Sequence, residues 1–185
     1  MKQFIDRYFR PDAFFPSLDR VHFAGLYRRG FRLVMLDLDN TLSGHGVYEA
    51  DEYAVNCVKT IKEHGFFCWL VTNARTKRGQ AYAATLDIPV RAMAGKPSAA
   101  ALLQICHDTG IPPQQCVLIG DQIFTDIWSA KRAGCHAVLV KPRFSDEAWN
   151  VKIKRYLEKP LYRRFRLSMD NRMQKNKSRD WRGLE

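Results

Sequence analysis

The sequence predicts an α/β protein in which a parallel central sheet is covered by helices on both faces, making three layers. Several apolar runs are short and almost uninterrupted, which is typical of strands buried on both sides. Helical stretches lie between them, and this alternation favours parallel strand pairing. The predicted strands are Arg32–Leu38, Phe66–Thr72, Cys116–Ile119 and His136–Val140, with a shorter candidate at Ile88–Ala92.

The helices expected between these strands carry ordinary stop signals. Glycine follows three of the helical stretches, at Gly65, Gly110 and Gly134, and a left-handed glycine commonly ends a helix. The predicted helices are Ala50–His64, Thr76–Leu86, Ser98–Thr109 and Thr125–Ala133.

The composition indicates a globular chain with an unusual charge. With 185 residues, of which 46% are hydrophobic, the chain suits one compact domain with a substantial core. The net charge is +11, and residues 141–185 hold 14 Lys and Arg against 6 Asp and Glu. A positive field of this size favours a phosphorylated ligand, an anionic membrane surface or nucleic acid as partner.

From the sequence we expect neither a signal peptide nor a transmembrane segment. Asp6 and Asp12 interrupt the apolar positions near the N-terminus, and the longest apolar run, residues 66–71, is too short to cross a bilayer. The five cysteines are scattered without a CxxC pair, which favours buried thiols in a reducing compartment. We therefore expect a cytoplasmic protein, either soluble or peripheral at the inner face of the membrane.

Polar residues gather at the ends of the predicted strands, where α/β sheets bind their ligands. Asp37 and Asp39 end the first strand two residues apart, so both carboxylates point to the same side. Their mutual repulsion indicates a cation between them. The other candidates are Thr72 and Asn73 after the second strand, Lys96 before a helix, and Asp121 and Asp126 after the Cys116–Ile119 strand. Any one of them alone is more often a cap or turn residue, but together they predict a site.

The order of these residues resembles the four motifs of the haloacid dehalogenase (HAD) superfamily. The stretch Asp37-Leu38-Asp39-Asn40-Thr41 comes first, followed by Thr72, Lys96 and the run from Gly120 to Asp126. The resemblance spans about half of the chain. It implies the Rossmann-like HAD fold and a phosphatase, because dehalogenases of the superfamily lack the second aspartate of the first motif.

The resemblance also implies a role for each residue. Asp37 would be the nucleophile that forms an aspartyl-phosphate, and Asp39 the general acid and base. Thr72 and Asn73 would bind the phosphoryl group, and Lys96 would neutralise charge between nucleophile and phosphate. Mg²⁺ would be held by Asp37, Asp121 and the backbone carbonyl of Asp39, with Thr41 and Asp126 in support. Phosphoryl transfer depends mainly on such positioning and charge neutralisation.

Neither interval between the motifs has room for a cap domain, so we expect the capless (C0) type with an open site. More narrowly, the chain resembles the YqeG-type HAD-IIIA family, related to mitochondrial phosphatidylglycerophosphate phosphatases. The most specific stretch is Gly120-Asp121-Gln122-Ile123-Phe124-Thr125-Asp126. This implies a lipid head group as substrate and phosphatidylglycerol as product. The loop Ser43-Gly44-His45-Gly46 departs from the family pattern beside the site.

Both ends of the chain carry amphipathic segments. We divide the chain into an aromatic N-terminal segment packing on or beside the core (1–30), the phosphatase core (31–145), a basic amphipathic segment (146–169) and a flexible tail (170–185). In the third part, large apolar residues recur every four positions among lysines and arginines: Trp149, Ile153, Leu157, Leu161 and Phe165. Such a helix suits either an anionic membrane surface or docking on the sheet, and both alternatives stay open.

Other functions are compatible with the same residues. The substrate could be a small soluble or macromolecular phosphate, such as a nucleotide, sugar or protein phosphate. From a different class, the chain could be a basic nucleic-acid or ribosome-associated module with a vestigial site. Two loop residues, His45 and Arg75, are further candidates for substrate contact, although single polar loop residues are more often only solvated.

Overall fold

The structure, a computed structural model, describes residues 2–144 and 149–167. At its centre lies a six-stranded, wholly parallel sheet of order β1-β6-β5-β2-β3-β4. The strands are β1 (Ala13–Phe15), β2 (Leu33–Leu36), β3 (Phe67–Val71), β4 (Val90–Arg91), β5 (Cys116–Gly120) and β6 (His136–Val140). The α/β fold with a parallel sheet is thus confirmed. The predicted tail, residues 170–185, lies outside the described residues.

Helices cover both faces of the sheet and complete the three layers. Those that contribute to one hydrophobic cluster are α2 (Phe23–Arg28), α3 (Glu52–Glu63) and α4 (Thr76–Leu86). Those that contribute to the other are α1 (Lys2–Phe9), α5 (Ala100–Thr109), α6 (Trp128–Ala133) and α7 (Trp149–Arg164).

Strand β2 shows why its sequence is apolar without interruption. Val34 and Leu36 belong to one hydrophobic cluster, whereas Leu33 and Met35 belong to the other. All four side chains are fully buried. Since successive residues of a strand point to opposite faces, a strand covered on both sides needs apolar residues at every position.

Most element boundaries lie within a few residues of the predicted ones. The exception is the predicted helix Thr125–Ala133. It begins with a π-helical turn over Ile123–Ile127 and continues as α6 only from Trp128. A π-helical turn widens the backbone locally and is often found at functional sites.

The N-terminal segment is part of the structured core. Strand β1, which the sequence pattern did not predict, pairs with β6 through Ala13–Val138, Phe14–Leu139 and Phe15–Val140. In α1, Phe9 is buried, and its ring centroid lies 5.5 Å from that of Phe124 and 5.0 Å from that of Trp128. Aromatic residues near the N-terminus therefore stabilise the core.

Helix α7 divides its apolar residues between the core and the surface. Leu161 and Phe165 pack against the hydrophobic cluster, whereas Ile153 and Leu157 are exposed. Pro160 lies inside the helix. None of the helices in the described ranges combines the length and apolar character needed to cross a bilayer.

Candidate active site

The site lies at the carboxyl end of the sheet, where β2 has β5 on one side and β3 on the other. The chain connections reverse direction there, which opens a crevice beyond the strand ends. Directly after β2, the backbone N–H of Asp37 donates to the Ile119 carbonyl at 2.9 Å and extends the strand pairing. Asp37 and Asp39 both line a cavity of about 610 Å³ at this edge.

Lys96 is a fully buried cation of the site. Its Nζ lies 2.5 Å from Asp37 Oδ1 and 2.7 Å from Asp126 Oδ1, and it donates to the Val71 carbonyl at 2.8 Å. The side chain is only 1% exposed. Because three acceptors surround it, the ammonium group has one orientation. It links the residue after β2, the end of β3 and the turn that follows β5.

Asn73 holds the backbone of Lys96 from both sides. The Lys96 N–H donates to Asn73 Oδ1 at 2.9 Å, and Asn73 Nδ2 donates to the Lys96 carbonyl at 3.0 Å. Asn73 also lines the cavity. Its side-chain amide thus fixes the position of Lys96, in addition to the substrate contact expected from the sequence.

Three buried carboxylates approach one another beside Lys96. Asp37, Asp121 and Asp126 each offer an oxygen, and these oxygens lie within 4.8 Å of one another. Asp121 is fully buried, and its Oδ1 has no hydrogen-bond partner among the described residues. Hard oxygen ligands suit Mg²⁺, and an unpaired buried carboxylate oxygen calls for a cation. The residues present therefore fit a divalent cation.

Gly120 makes this approach possible. A Cβ atom at Gly120 would overlap the Asp126 side chain, so any larger residue would displace the carboxylate from Lys96. Asp126 is further fixed by the Gln122 N–H, which donates to its Oδ2 at 3.1 Å. The glycine of the Gly-Asp motif is thus required by close packing.

The pKa values of the site reflect burial and crowded charge. Burial raises the pKa of Asp37 to about 7, although the Lys96 ammonium opposes the shift. Burial raises the pKa of Asp121 well above its usual value, against the opposing charge of Arg155. For Lys96, burial lowers the pKa, but the carboxylates of Asp126 and Asp37 outweigh it and raise the pKa overall. A divalent cation would favour the ionised carboxylates.

The remaining predicted residues lie at or near the cavity. Thr72 lines it, and its Oγ1 accepts a hydrogen bond from the Ala74 N–H at 3.0 Å. Thr41 is buried, and its hydroxyl has no hydrogen-bond partner among the described residues. The loop residues His45 and Arg75 both line the cavity, and His45 Nδ1 lies 3.5 Å from Asp39 Oδ1.

The Asp39 carboxylate faces an arginine that the sequence analysis missed. Arg78 Nη1 donates to Asp39 Oδ2 at 3.0 Å, and Nη2 lies 2.8 Å from Oδ1. The same guanidinium donates to the carbonyls of Gly44 at 3.1 Å and Val47 at 2.9 Å. These contacts tie the loop after β2 to α4, and Asp39 is not one of the three carboxylates that approach one another beside Lys96.

Helix α7 contributes two further cations that the sequence analysis did not assign to the site. Lys154 lines the cavity, and Arg155 pairs with Asp121. The only sequence signal for either was a basic segment far along the chain. Such a segment is more often a solvated face, and nothing in its spacing pointed to Asp121.

The fold and the Asp37–Lys96–Asp126 cluster agree with the comparisons, in which the chain is similar to HAD-like hydrolases. Residues 93–156 match the family described as HAD-hydrolase-like. The chain is also similar to the protein named Probable phosphatase YqeG of Bacillus subtilis (strain 168). The two are 28% identical over 157 residues, which cover 85% of this chain and 91% of the relative. The predicted resemblance to a HAD-type phosphatase is thus confirmed, and with it the prediction that the protein is an enzyme.

Solved structures support the fold. An uncharacterized protein from Listeria monocytogenes serotype 4b matches with a TM-score of 0.53 and 18% identity, covering 63% of this chain and 84% of its own. The cobalt-bound form of the deoxy-D-mannose-octulosonate 8-phosphate phosphatase from Haemophilus influenzae matches with a TM-score of 0.51 and 15% identity. That match covers 70% of this chain and 77% of the other. At these identities the likeness concerns the fold alone.

Proposed function

We propose that the protein is a Mg²⁺-dependent phosphomonoester hydrolase that acts through an aspartyl-phosphate on Asp37. The observation that carries the proposal is the position of Asp37. Its carboxylate lines the cavity and contacts Lys96, within the cluster formed with Asp121 and Asp126. A carboxylate can attack a phosphate dianion only where cations cancel the repulsion between them.

The first half-reaction exchanges one phosphorus–oxygen bond for another. A carboxylate oxygen of Asp37 bonds to phosphorus while the bond to the leaving oxygen breaks, and Asp39 gives that oxygen a proton. Thr72 and Asn73 line the cavity where the phosphoryl group would lie. Lys96 neutralises charge next to the nucleophile from a fixed position.

The second half-reaction restores the enzyme. Asp39, now a carboxylate, takes a proton from the water that attacks phosphorus, and the bond between phosphorus and the Asp37 oxygen breaks. Mg²⁺ would be held by Asp37, Asp121 and the backbone carbonyl of Asp39, with Asp126 close enough to take part. When bound, it supplies positive charge to the phosphoryl oxygens. Thr41 and Asp126 are proposed as supporting residues.

We further propose phosphatidylglycerophosphate as substrate and phosphatidylglycerol as product. The interval between β2 and β3 holds a loop and α3, and the interval between β3 and Lys96 holds α4 and β4. Neither contains a domain that would enclose a small substrate. An uncapped cavity lined by Lys154, Arg75 and His45 suits a phosphate group that is attached to a larger molecule or to a membrane surface.

The exposed face of α7 supports contact with an anionic membrane. Ile153, Tyr156 and Leu157 are 51%, 69% and 57% exposed, and Lys159 is exposed beside them. Lys154, on the same helix, lines the cavity. Apolar residues among cations are typical of helices that lie on anionic lipid. A peripheral position at the inner face of the membrane follows from this proposal, and the five buried free cysteines suit a reducing cytoplasm.

A basic nucleic-acid module with a vestigial site is less favoured. A site without function would not be expected to keep Lys96 buried between two carboxylates, since burying unused charges costs stability. Salt titrations of binding to RNA and to anionic vesicles separate the two partners. Binding to RNA alone would contradict the membrane proposal.

Phosphate release tests the proposed reaction. Short-chain phosphatidylglycerophosphate is compared with nucleotide and sugar phosphates, with Mg²⁺ or EDTA, for the wild type and Asp37→Asn. We expect metal-dependent release from the lipid, lost in Asp37→Asn. Release only from soluble phosphates would contradict the lipid substrate, and no release from any substrate by the folded protein would contradict the proposed reaction.

The covalent intermediate has its own test. With ³²P-labelled p-nitrophenyl phosphate, whose leaving group needs no proton, and an acid quench, the wild type should carry label on the protein. Asp39→Asn should accumulate more, since water activation is then slow while the first step is not. Asp37→Asn should carry none. Label retained by Asp37→Asn would show that another residue is the nucleophile.

A further inference from the structure

Arg155 of α7 reaches into the cluster of carboxylates. Its Nη2 pairs with Asp121 Oδ2, and its Nη1 donates to the Asp121 backbone carbonyl at 3.0 Å. The guanidinium thereby holds both the side chain and the main chain of one residue. Since Asp121 is fully buried, this pairing takes place in a region of low dielectric, where it is strong.

The two oxygens of Asp121 have different surroundings. Oδ2 is taken by Arg155, whereas Oδ1 has no hydrogen-bond partner among the described residues. The carboxylate of Asp121 faces those of Asp37 and Asp126. With one oxygen held by the guanidinium, the carboxylate cannot rotate freely, and the other oxygen remains for a cation.

The packing of α7 fixes the place of Arg155. One turn further along, the fully buried Glu158 accepts a hydrogen bond from the Phe124 N–H at 2.9 Å, at the start of the π-helical turn. Leu161 and Phe165 then anchor the helix on the core. Arg155 and Glu158 thus hold the two ends of the segment from Asp121 to Phe124.

We propose that Arg155 is a positioning residue of the metal site, which orients Asp121 so that its free oxygen binds the divalent cation. This inference rests on the proposed function, because it assumes the cation of that reaction. A carboxylate ligand that loses its outer hydrogen-bond partner typically binds metal about 10- to 100-fold more weakly. Helix α7 is then part of the active site, although it follows the four sequence motifs.

Because Arg155 is positively charged, the direction in which its removal changes metal affinity distinguishes two possible roles. A guanidinium that merely stood near the site would repel a divalent cation, and its removal would strengthen metal binding. An orienting guanidinium predicts the opposite. The two roles therefore predict changes of opposite direction in the same measurement.

The experiment is calorimetric titration of the full chain with Mn²⁺, for the wild type, Arg155→Met and Arg155→Lys. Lys154→Met is the matched control, since it removes the same charge one residue away without a contact to Asp121. We expect affinity to fall about 10- to 100-fold in Arg155→Met, partly recover in Arg155→Lys, and change little or rise slightly in Lys154→Met. Thermal unfolding in EDTA shows that the variants are folded.

Two results would overturn the inference. Affinity unchanged or higher in folded Arg155→Met, with tight binding to the wild type, would remove the orienting role and leave the proposed function intact. No Mn²⁺ binding to the wild type, or binding that Asp121→Asn leaves unchanged, would overturn both the inference and the metal site on which it rests.

Discussion

Arg78 and Asp39 form a partly buried ion pair in which the guanidinium faces both carboxylate oxygens, at 3.0 Å from Nη1 to Oδ2 and 2.8 Å from Nη2 to Oδ1. The same arginine binds the Gly44 and Val47 carbonyls. The proposed general acid is therefore held by α4 together with the loop that departs from the family pattern. Orientation of Asp39 and conformation of this loop depend on one side chain.

Replacing Arg78 should impair the reaction most where the leaving group needs a proton. We expect the fall in kcat caused by Arg78→Met to be about tenfold larger for glycerol phosphate than for p-nitrophenyl phosphate. This difference is part of the rate acceleration that a general acid usually contributes. The aryl leaving group departs without protonation. Lys77→Met, an exposed neighbour on α4, is the control. An equal loss on both substrates would assign Arg78 a purely structural role.

Removing the buried cation should cost stability as well as activity. Lys96→Met leaves Asp37 and Asp126 without their common partner, and breaking a buried pair in this way costs about 3–5 kcal/mol. Since protonation relieves the unpaired carboxylates, the loss should be larger at pH 8 than at pH 5. Urea unfolding measures both values.

Two further variants sharpen this comparison. Lys96→Met combined with Asp126→Asn should recover part of the lost stability, because only one carboxylate then remains uncompensated. Lys62→Met removes a surface ion pair with Asp87 and should cost less than about 1 kcal/mol. Equal losses in the buried and the surface variants would contradict the account of the Lys96 cluster.

The sheet and the main site residues could be predicted because the sequence encodes them locally. An apolar run followed by an acidic residue marks both a buried strand and its carboxyl end, as at Leu36 with Asp37 and at Gly120 with Asp121. Parallel strands bring those ends to one edge. The meeting of Asp37, Lys96 and Asp126 thus follows from topology.

The parts that could not be predicted depend on contacts between distant segments. Strand β1 has three residues, too few for a periodic pattern, and it exists because β6 offers it an edge. Arg78 and Arg155 are two arginines in a chain with 30 lysines and arginines. Only the packing of α4 and α7 directs them to Asp39 and Asp121.

Glu158 should make stability depend on pH. Burial raises its pKa to about 7 from an ordinary 4.5, with Arg155 opposing and Asp126 adding to the shift. Between these values the folded state binds the extra proton, so the stability contributed by protonated Glu158 is fully present below pH 4.5 and is lost as the pH rises through about 7.

Glu158→Gln isolates this effect, since its side-chain oxygen can still accept from the Phe124 N–H. We expect similar stability to the wild type at pH 5, and at pH 8 a gain of about 1–3 kcal/mol from removing a buried charge. Urea unfolding at both pH values measures the difference. The same difference between the two proteins at pH 5 and pH 8 would contradict the assigned pKa.

The exposed face of α7 should govern binding to anionic membranes. Ile153→Asp combined with Leu157→Asp introduces two charges where apolar side chains would enter the lipid, and should weaken sedimentation with phosphatidylglycerol vesicles about tenfold or more.

Phe67→Asp is the matched control, because Phe67 is 63% exposed at the start of β3, at the end of the sheet away from the site. Hydrolysis of soluble phosphates should stay unchanged in both proteins, since none of these side chains lines the cavity. The control changes the same kind of residue at the opposite end of the sheet, so it shows the effect of an added charge alone. Equal vesicle binding by the double variant and the wild type would exclude α7 as the membrane contact.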